Sequence, residues 1–251
     1  MPGLGRRTFA PGEVLTATNV MGYLQDQAVM NFAGTAARGS AIGTAVSEGM
    51  VSYLQDSNSV QVYDGSAWKP IGGLVPIIPT VVTYVTGTGS VSSSGAVNFS
   101  GCSSVSLDGV FTAEYKNYRL VFTGQRSTAA AGFMFARLRT GSPAADVSSS
   151  YAGGFSGFFY NGTTAFATQS ANEILFVQTF YDKFAIGVDI DQPQEATGTK
   201  VHGTSLGSGA ANGFYAITGV EHNSSTSFSG ITVICSGALM TGQVQIFGYN
   251  D

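Results

Sequence analysis

Charge is what this chain has least of. Only 10% of its 251 residues are Asp, Glu, Lys or Arg, and the formal net charge is −4. A mildly acidic chain without a basic stripe offers little to a phosphate backbone, so no nucleic-acid partner is expected. Cysteine occurs twice, at Cys102 and Cys235. Two cysteines make no disulfide framework, and nothing points to an oxidising compartment in which they would pair. Cys235 alternates in phase with Ile231 and Val233, as a buried thiol acting as a small hydrophobe does. No stretch approaches the roughly 20 apolar residues that span a bilayer. Nor does an apolar run follow Arg6 and Arg7 as it would in a signal peptide. Membrane insertion is therefore not expected.

Chemistry is equally sparse. The two histidines, His202 and His222, stand alone, without a second ligand at metal spacing. No Gly-x-Ser-x-Gly elbow falls between a strand and a helix, and no helix follows the glycine-rich stretches as a phosphate loop requires. The expectation is a chain that is not an enzyme and holds no metal or cofactor. Two arrangements were weighed against it. Asp189, Asp191 and Glu195 in DIDQPQE could group oxygens for calcium or form a glycosidase pair, although exposed charges are the ordinary content of a solvated strand end. Asp108 with Glu114 is a weaker case of the same kind.

What the chain does have is glycine, 34 residues of it, set with Ser and Thr between short runs of Val, Ile, Phe and Tyr. That is the composition of an all-β protein. The stretch Asn117 to Thr140, NYRLVFTGQRSTAAAGFMFARLRT, organises the rest. Tyr118, Leu120 and Phe122 alternate with Arg119, Val121 and Thr123, the two-residue period of a strand. Gly124 to Gly132 reads as a loop. In the next strand Met134, Ala136 and Leu138 form a core face. Phe133, Phe135, Arg137 and Arg139 form the other, a mixture of rings and guanidiniums suited to a subunit interface.

Along the chain, residues 1–40 read as an arm followed by a helix from about Ala17 to about Met30. Thr16 or Thr18 caps it, and Val20, Leu24 and Ala28 form its apolar stripe. So short a helix needs a partner surface, which makes Val20 and Leu24 interface candidates. Residues 41–73 hold a three-stranded meander, Met50–Leu54, Val60–Tyr63 and Ala67–Ile71, with Trp68 as the plug of its small core. Residues 74–90 hold a proline-stiffened linker, LVPIIPT, and a first strand. Residues 91–251 form the head, and strands are expected at Val81–Thr86, Val105–Leu107, Tyr118–Thr123, Phe133–Arg139, Phe155–Tyr160, Ile174–Thr179, Phe184–Ile190, Lys200–Thr204, Phe214–Val220, Ile231–Cys235 and Gln243–Tyr249. Their spacing predicts an antiparallel β-sandwich of jelly-roll type. For ligand binding the sequence offers YAGGFSGFFYNGTTAF, residues 151–166. Phe155 and Phe158 are expected in the core, leaving Tyr151, Tyr160 and Asn161 as candidates to stack on and hydrogen-bond a sugar.

Residues 9–68 also carry a resemblance. Phe9, Gly12-Glu13-Val14-Leu15-Thr16, Asn19-Val20, Tyr23-Leu24, Gln27, Arg38, Ile42, Glu48-Gly49-Met50-Val51, Leu54, Asp56, Val62-Tyr63, Gly65 and Ala67-Trp68 form an ordered string. It is similar to the opening of minor tail proteins and short tail fibres of phages infecting Gram-positive, especially actinobacterial, hosts. The resemblance covers about the first 73 residues; the remainder is similar to receptor-binding heads in style only. It implies a virion protein, on the tail rather than the head of the particle, whose residues 1–40 attach to other virion proteins. It further implies a homotrimer and a head that meets host cell-surface carbohydrate. The other readings kept open are a purely structural decoration of capsid or tail, and a glycan hydrolase.

Overall fold

The computed structural model describes residues 10–21, 28–127, 132–141, 144–159, 164–168, 172–179, 183–208 and 213–249. The chain divides into two compact units, Met1–Gly73 and Leu74–Asp251.

The first unit opens on a single helical turn, α1 (Ala17–Val20), whose Thr16 side chain accepts a hydrogen bond from the Asn19 amide at 3.2 Å. The helix expected to reach Met30 does not do so. Val29–Phe32 is β1, paired in parallel with β2 (Val51–Leu54). Sheet pairing with a distant segment overrides the four-residue apolar spacing, which a strand of alternating exposure also tolerates. A second helix, α2 (Thr35–Ile42), comes next, where the small-residue composition gave no period to read. The sheet continues antiparallel through β3 (Ser59–Tyr63) and β4 (Trp68–Pro70), so the expected meander is present with β1 added at its edge. The Asp64 carboxylate closes the last turn by accepting bonds from the amides of Ser66 and Ala67 at 2.8 and 2.7 Å. These bonds draw its pKa down to about 2.

Among the described residues of this unit only Met50 and Leu54 are buried apolar side chains. The remaining interior is built around Arg38 on α2. Its Nη1 donates to Ser52 Oγ at 2.9 Å and to Gln61 Oε1 at 2.6 Å, and its guanidinium lies 4.1 Å from the centre of the Trp68 ring. Tyr63 packs on the same indole with ring centres 5.5 Å apart. Trp68 is therefore a core residue of this unit, held by a cation rather than by aliphatic neighbours.

The second unit is an antiparallel sandwich. Its strands are β5 (Leu74–Ile77), β6 (Val81–Val85), β7 (Thr88–Val91), β8 (Val97–Cys102), β9 (Ser104–Asp108), β10 (Asn117–Arg126), β11 (Gly132–Thr140), β12 (Ala145–Asp146), β13 (Tyr151–Phe159), β14 (Thr164–Thr168), β15 (Ile174–Thr179), β16 (Lys183–Asp191), β17 (Thr199–Ser208), β18 (Phe214–His222), β19 (Gly230–Cys235) and β20 (Met240–Tyr249). Ten of them form one sheet, in the order β14-β13-β18-β17-β16-β10-β20-β8-β7 with β5 also on β20. Six form the other, β12-β11-β19-β9-β6 with β15 on β11. One continuous core lies between them. Tyr118, Leu120 and Phe122 of β10 and Ile186, Val188 and Ile190 of β16 meet Met134, Ala136 and Leu138 of β11 and Ile231 and Val233 of β19. The alternation expected in β10, β11 and β16 is observed residue for residue.

The organising stretch is not a hairpin within one sheet. β10 lies between β16 and β20, whereas β11 lies in the opposite sheet beside β19. The two strands belong to opposite sheets because each one's apolar face has to meet the other across the core. The expected linker is corrected as well. Leu74–Ile77 is β5, running along Ile246–Tyr249 of the last strand, with Pro76 on an edge where its missing N–H costs no ladder bond. Cys102 and Cys235 are both buried and both free.

Several polar groups inside the sandwich find partners, although Tyr84 Oη, Arg137 Nε, Thr199 Oγ1 and His222 Nε2 are buried without a hydrogen-bond partner among the described residues. The Tyr118 hydroxyl accepts from the Thr112 amide at 2.7 Å and donates to the Thr112 carbonyl at 2.6 Å. The β11–β15 ladder shifts register between Met134 and Phe135, which leaves Phe176 out of the pairing. Its carbonyl accepts instead from the hydroxyls of Ser205 and Thr218 in the facing sheet, at 2.7 and 3.1 Å. Two buried hydroxyls thus repair a gap opened by the bulge.

At one end of β18 the His222 ring is buried edge-on between Tyr151 and Phe228, with ring centres 4.7 and 4.8 Å away. Nδ1 lies 3.0 Å from Ser224 Oγ, and Nε2 has no partner among the described residues. Burial lowers its pKa below the ordinary histidine value of 6.5. The unfolded chain therefore takes up this proton first, and the neutral ring's contribution is complete above about pH 6.5 and declines as the pH falls below it. A single group can impose a slope of up to about 1.4 kcal/mol per pH unit. Between pH 6.5 and 5 the wild-type chain is expected to lose denaturant midpoint relative to His222→Gln. Parallel pH profiles of the two proteins would show the ring to be unimportant.

Candidate functional site

The outer face of the ten-stranded sheet carries the feature that the core does not explain. β13, β18, β17, β16 and β10 lie side by side, and their register puts one residue of each in a single row. Phe158 is opposite Tyr215, Tyr215 opposite Leu206, Leu206 opposite Ala185, and Ala185 opposite Thr123. One row further along stand Ile217, Thr204, Gly187 and Val121. Phe158, Leu206 and Ile217 are each more than half exposed, at 52, 56 and 54%, and Tyr215 and Val121 are also open to solvent. Phe158, Tyr215, Leu206 and Ile217, on three adjacent strands of one sheet face, form an exposed apolar patch of the kind that marks an interaction surface, with Val121 standing apart beyond Thr204 and Gly187.

A cleft of about 790 Å³ opens over the first of these rows. Lys183 and Ser208 line it together with Phe158, Leu206, Tyr215, Ala185 and Thr123. Its volume falls within the range of ordinary small-molecule sites. Lys183 has no ion-pair partner among the described residues and is the one charged side chain among the described residues that line the cleft.

Toward the other end of the same face the side chains become polar and pair with one another. Arg119 Nη1 lies 2.9 and 3.1 Å from the two carboxylate oxygens of Asp189, and the Tyr249 hydroxyl donates to Asp189 Oδ1 at 2.5 Å. Gly187 leaves room for the Arg119 guanidinium to cross its strand: a Cβ there would stand 3.1 Å from Nη2. His202 Nε2 is 3.2 Å from Asp191 Oδ2. The acidic stretch considered for calcium or glycoside chemistry is thus engaged with Arg119, Tyr249 and His202. Among the described residues, no three His, Cys, Asp or Glu side chains gather as metal ligands do.

The ligand-binding candidates are distributed differently from expectation. Tyr151 is a core residue. Its hydroxyl accepts from the Leu138 amide at 2.8 Å and donates to the Val147 carbonyl at 3.0 Å, and burial pushes its pKa up. The first position of β13 faces inward, so Tyr151 cannot stack on an external sugar. Tyr160 and Asn161 lie outside the described residues. Phe155 is in the core as expected, but Phe158 is not. Three positions along a strand change the face, and that spacing was the available signal. Leu206, Tyr215 and Ile217 were missed because each sits beside a residue that points inward.

The interface candidates on β11 are committed within the chain. Arg137 donates to Glu173 at 3.2 Å and lies 5.7 Å from the centre of the Phe135 ring, while Phe133 packs partly against the core. Arg139 bonds to Asp108, Asp146, Thr232 and Ala144. Arg137 and Phe135 thus meet each other and Arg139 meets two carboxylates, while Arg137 Nε has no hydrogen-bond partner among the described residues. Of the helical candidates, Val20 is exposed on α1 and Leu24 lies outside the described residues.

No protein-family model, curated protein or solved structure matches this chain.

Proposed function

We propose that this chain is a phage virion protein of the minor-tail or short-fibre kind. In this reading the first unit docks on other virion proteins and the sandwich is a non-enzymatic head that meets the host surface, with surface carbohydrate as the partner class. The observation that supports a binding head is the in-register exposed row Phe158, Tyr215, Leu206 with Ile217. Support for the docking role comes from the ordered string of residues 9–68. Assembly as a homotrimer belongs to the same proposal.

Attachment of fluorescently labelled full-length chain to Gram-positive cells tests the head. The Leu206→Asp, Ile217→Asp double variant is expected to bind at least tenfold less, since two charges are forced into a desolvated contact. Both positions are exposed in the isolated chain, so its thermal unfolding should stay unchanged. Equal attachment by wild type and variant would remove this face from the proposal. Light scattering that gives one 25.9 kDa chain per particle would remove the trimer.

A further inference from the structure

We infer that the cleft over β10, β16, β17, β18 and β13 binds a single-chain amphiphile: an apolar tail across the strands and a carboxylate end at Lys183. This inference rests on the same sheet face as the proposed head and names for its cleft a ligand class other than the carbohydrate proposed for the head.

Three observations lead there. The cleft crosses five adjacent strands, a path of about 19 Å at roughly 4.8 Å per strand, and is therefore elongated rather than round. Phe158, Tyr215, Leu206 and Ala185, aligned in one register row, form part of its apolar wall, and Phe184 and Phe214 with Gly124, Gly207 and Gly213 form the rest, which together match a long apolar body laid across the sheet. Lys183 is the one charged side chain among its described lining residues and has no ion-pair partner among the described residues. Charge complementarity therefore fixes the sign of the ligand's polar end. A pyranose fits this lining less well. Sugars are held by several directed donors and acceptors, and here the side-chain polar groups are Lys183 and the hydroxyls of Thr123, Ser208 and Tyr215.

Calorimetric titration of the full-length protein with monomeric sodium laurate tests the assignment, with dodecanol as the uncharged comparison. The expected result is saturable one-to-one binding in the micromolar range, weaker for dodecanol. Lys183→Glu should reduce laurate affinity about tenfold, because attraction becomes repulsion at a solvent-exposed site, while leaving dodecanol unchanged. Leu206→Asp should abolish both. Absence of saturable laurate binding, equal affinity in all three proteins, or binding only to phosphatidylglycerol vesicles and not to the monomer would overturn the inference. Cell attachment by the same proteins is scored separately. Lys183→Glu that loses laurate yet still attaches supports the cleft assignment and separates it from the attachment proposal. Wild-type protein that attaches but takes up no laurate overturns the cleft assignment alone.

Discussion

Arg139→Ala is expected to destabilise the sandwich by about 3–5 kcal/mol, the cost of stripping one partner from a half-buried ion network. The guanidinium uses all five of its N–H groups. Nε and Nη2 reach the two Asp108 oxygens at 2.7 and 3.2 Å, and Nη2 also reaches the Ala144 carbonyl at 2.6 Å. Nη1 reaches Asp146 Oδ1 at 2.5 Å and Thr232 Oγ1 at 3.1 Å. Its side chain is only 11% exposed, with Asp108 at 17% and Asp146 at 28%. Alanine would leave two poorly solvated carboxylates close together without a counter-charge. It would also release β12, the two-residue strand paired to Arg139 and Thr140. Gly230 belongs to the same arrangement, since a Cβ there would crowd the Asp108 carboxylate. Lysine should recover less than half of the loss, because one ammonium cannot reproduce a bidentate fork. Guanidinium titration followed by far-UV circular dichroism measures the effect. A shift in midpoint below that of an exposed charge substitution, about 0.5 kcal/mol, would mean that the network is ornamental.

Arg38→Ala is expected to unfold the first unit in the absence of denaturant. Arg38 makes two hydrogen bonds from a charged donor and covers the Trp68 ring, together worth about 3 kcal/mol. A four-stranded unit with two buried apolar side chains has little more than that to lose. Burial depresses the guanidinium pKa, with Asp56 acting in the opposite direction. The cation is therefore held at a desolvation cost, which the indole face and the two oxygens offset. Trp68 is the only tryptophan, so its emission reports this unit directly. A red shift to the wavelength of the denatured protein is expected, and an unchanged spectrum would show that Leu54 and Met50 suffice.

The two variants differ in how readable their sites were. Arg38 and Trp68 both stood in the ordered string, yet nothing local linked them. Their contact depends on α2, a helix of small residues with no periodic signal, folding over the sheet. The Arg139 network joins residues 108, 139, 144, 146 and 232, which only the crossing between sheets brings together. Sequence placed Arg139 on the outer face of β11 correctly and then assigned that face to another subunit, because alternation tells which way a side chain points and not what meets it. The same limit applies to Tyr151 and Phe158. The expected strand begins only at Phe155, whereas β13 starts at Tyr151, with its first residue facing inward and its eighth outward, so the inferred ligand face had to be replaced by another on the same strand.

Residue order alone determined that this is a β protein, where eleven of the sixteen strands of its second unit lie, and which side of β10, β11 and β16 is apolar. Those properties follow from a two-residue period that each strand carries within itself. Tertiary structure decided that β10 and β11 separate into opposite sheets, that Leu74–Ile77 is a strand, and that Phe158, Tyr215 and Leu206 align into one exposed row. Each of these depends on register between segments tens of residues apart, and register is set by how the two apolar faces close on each other.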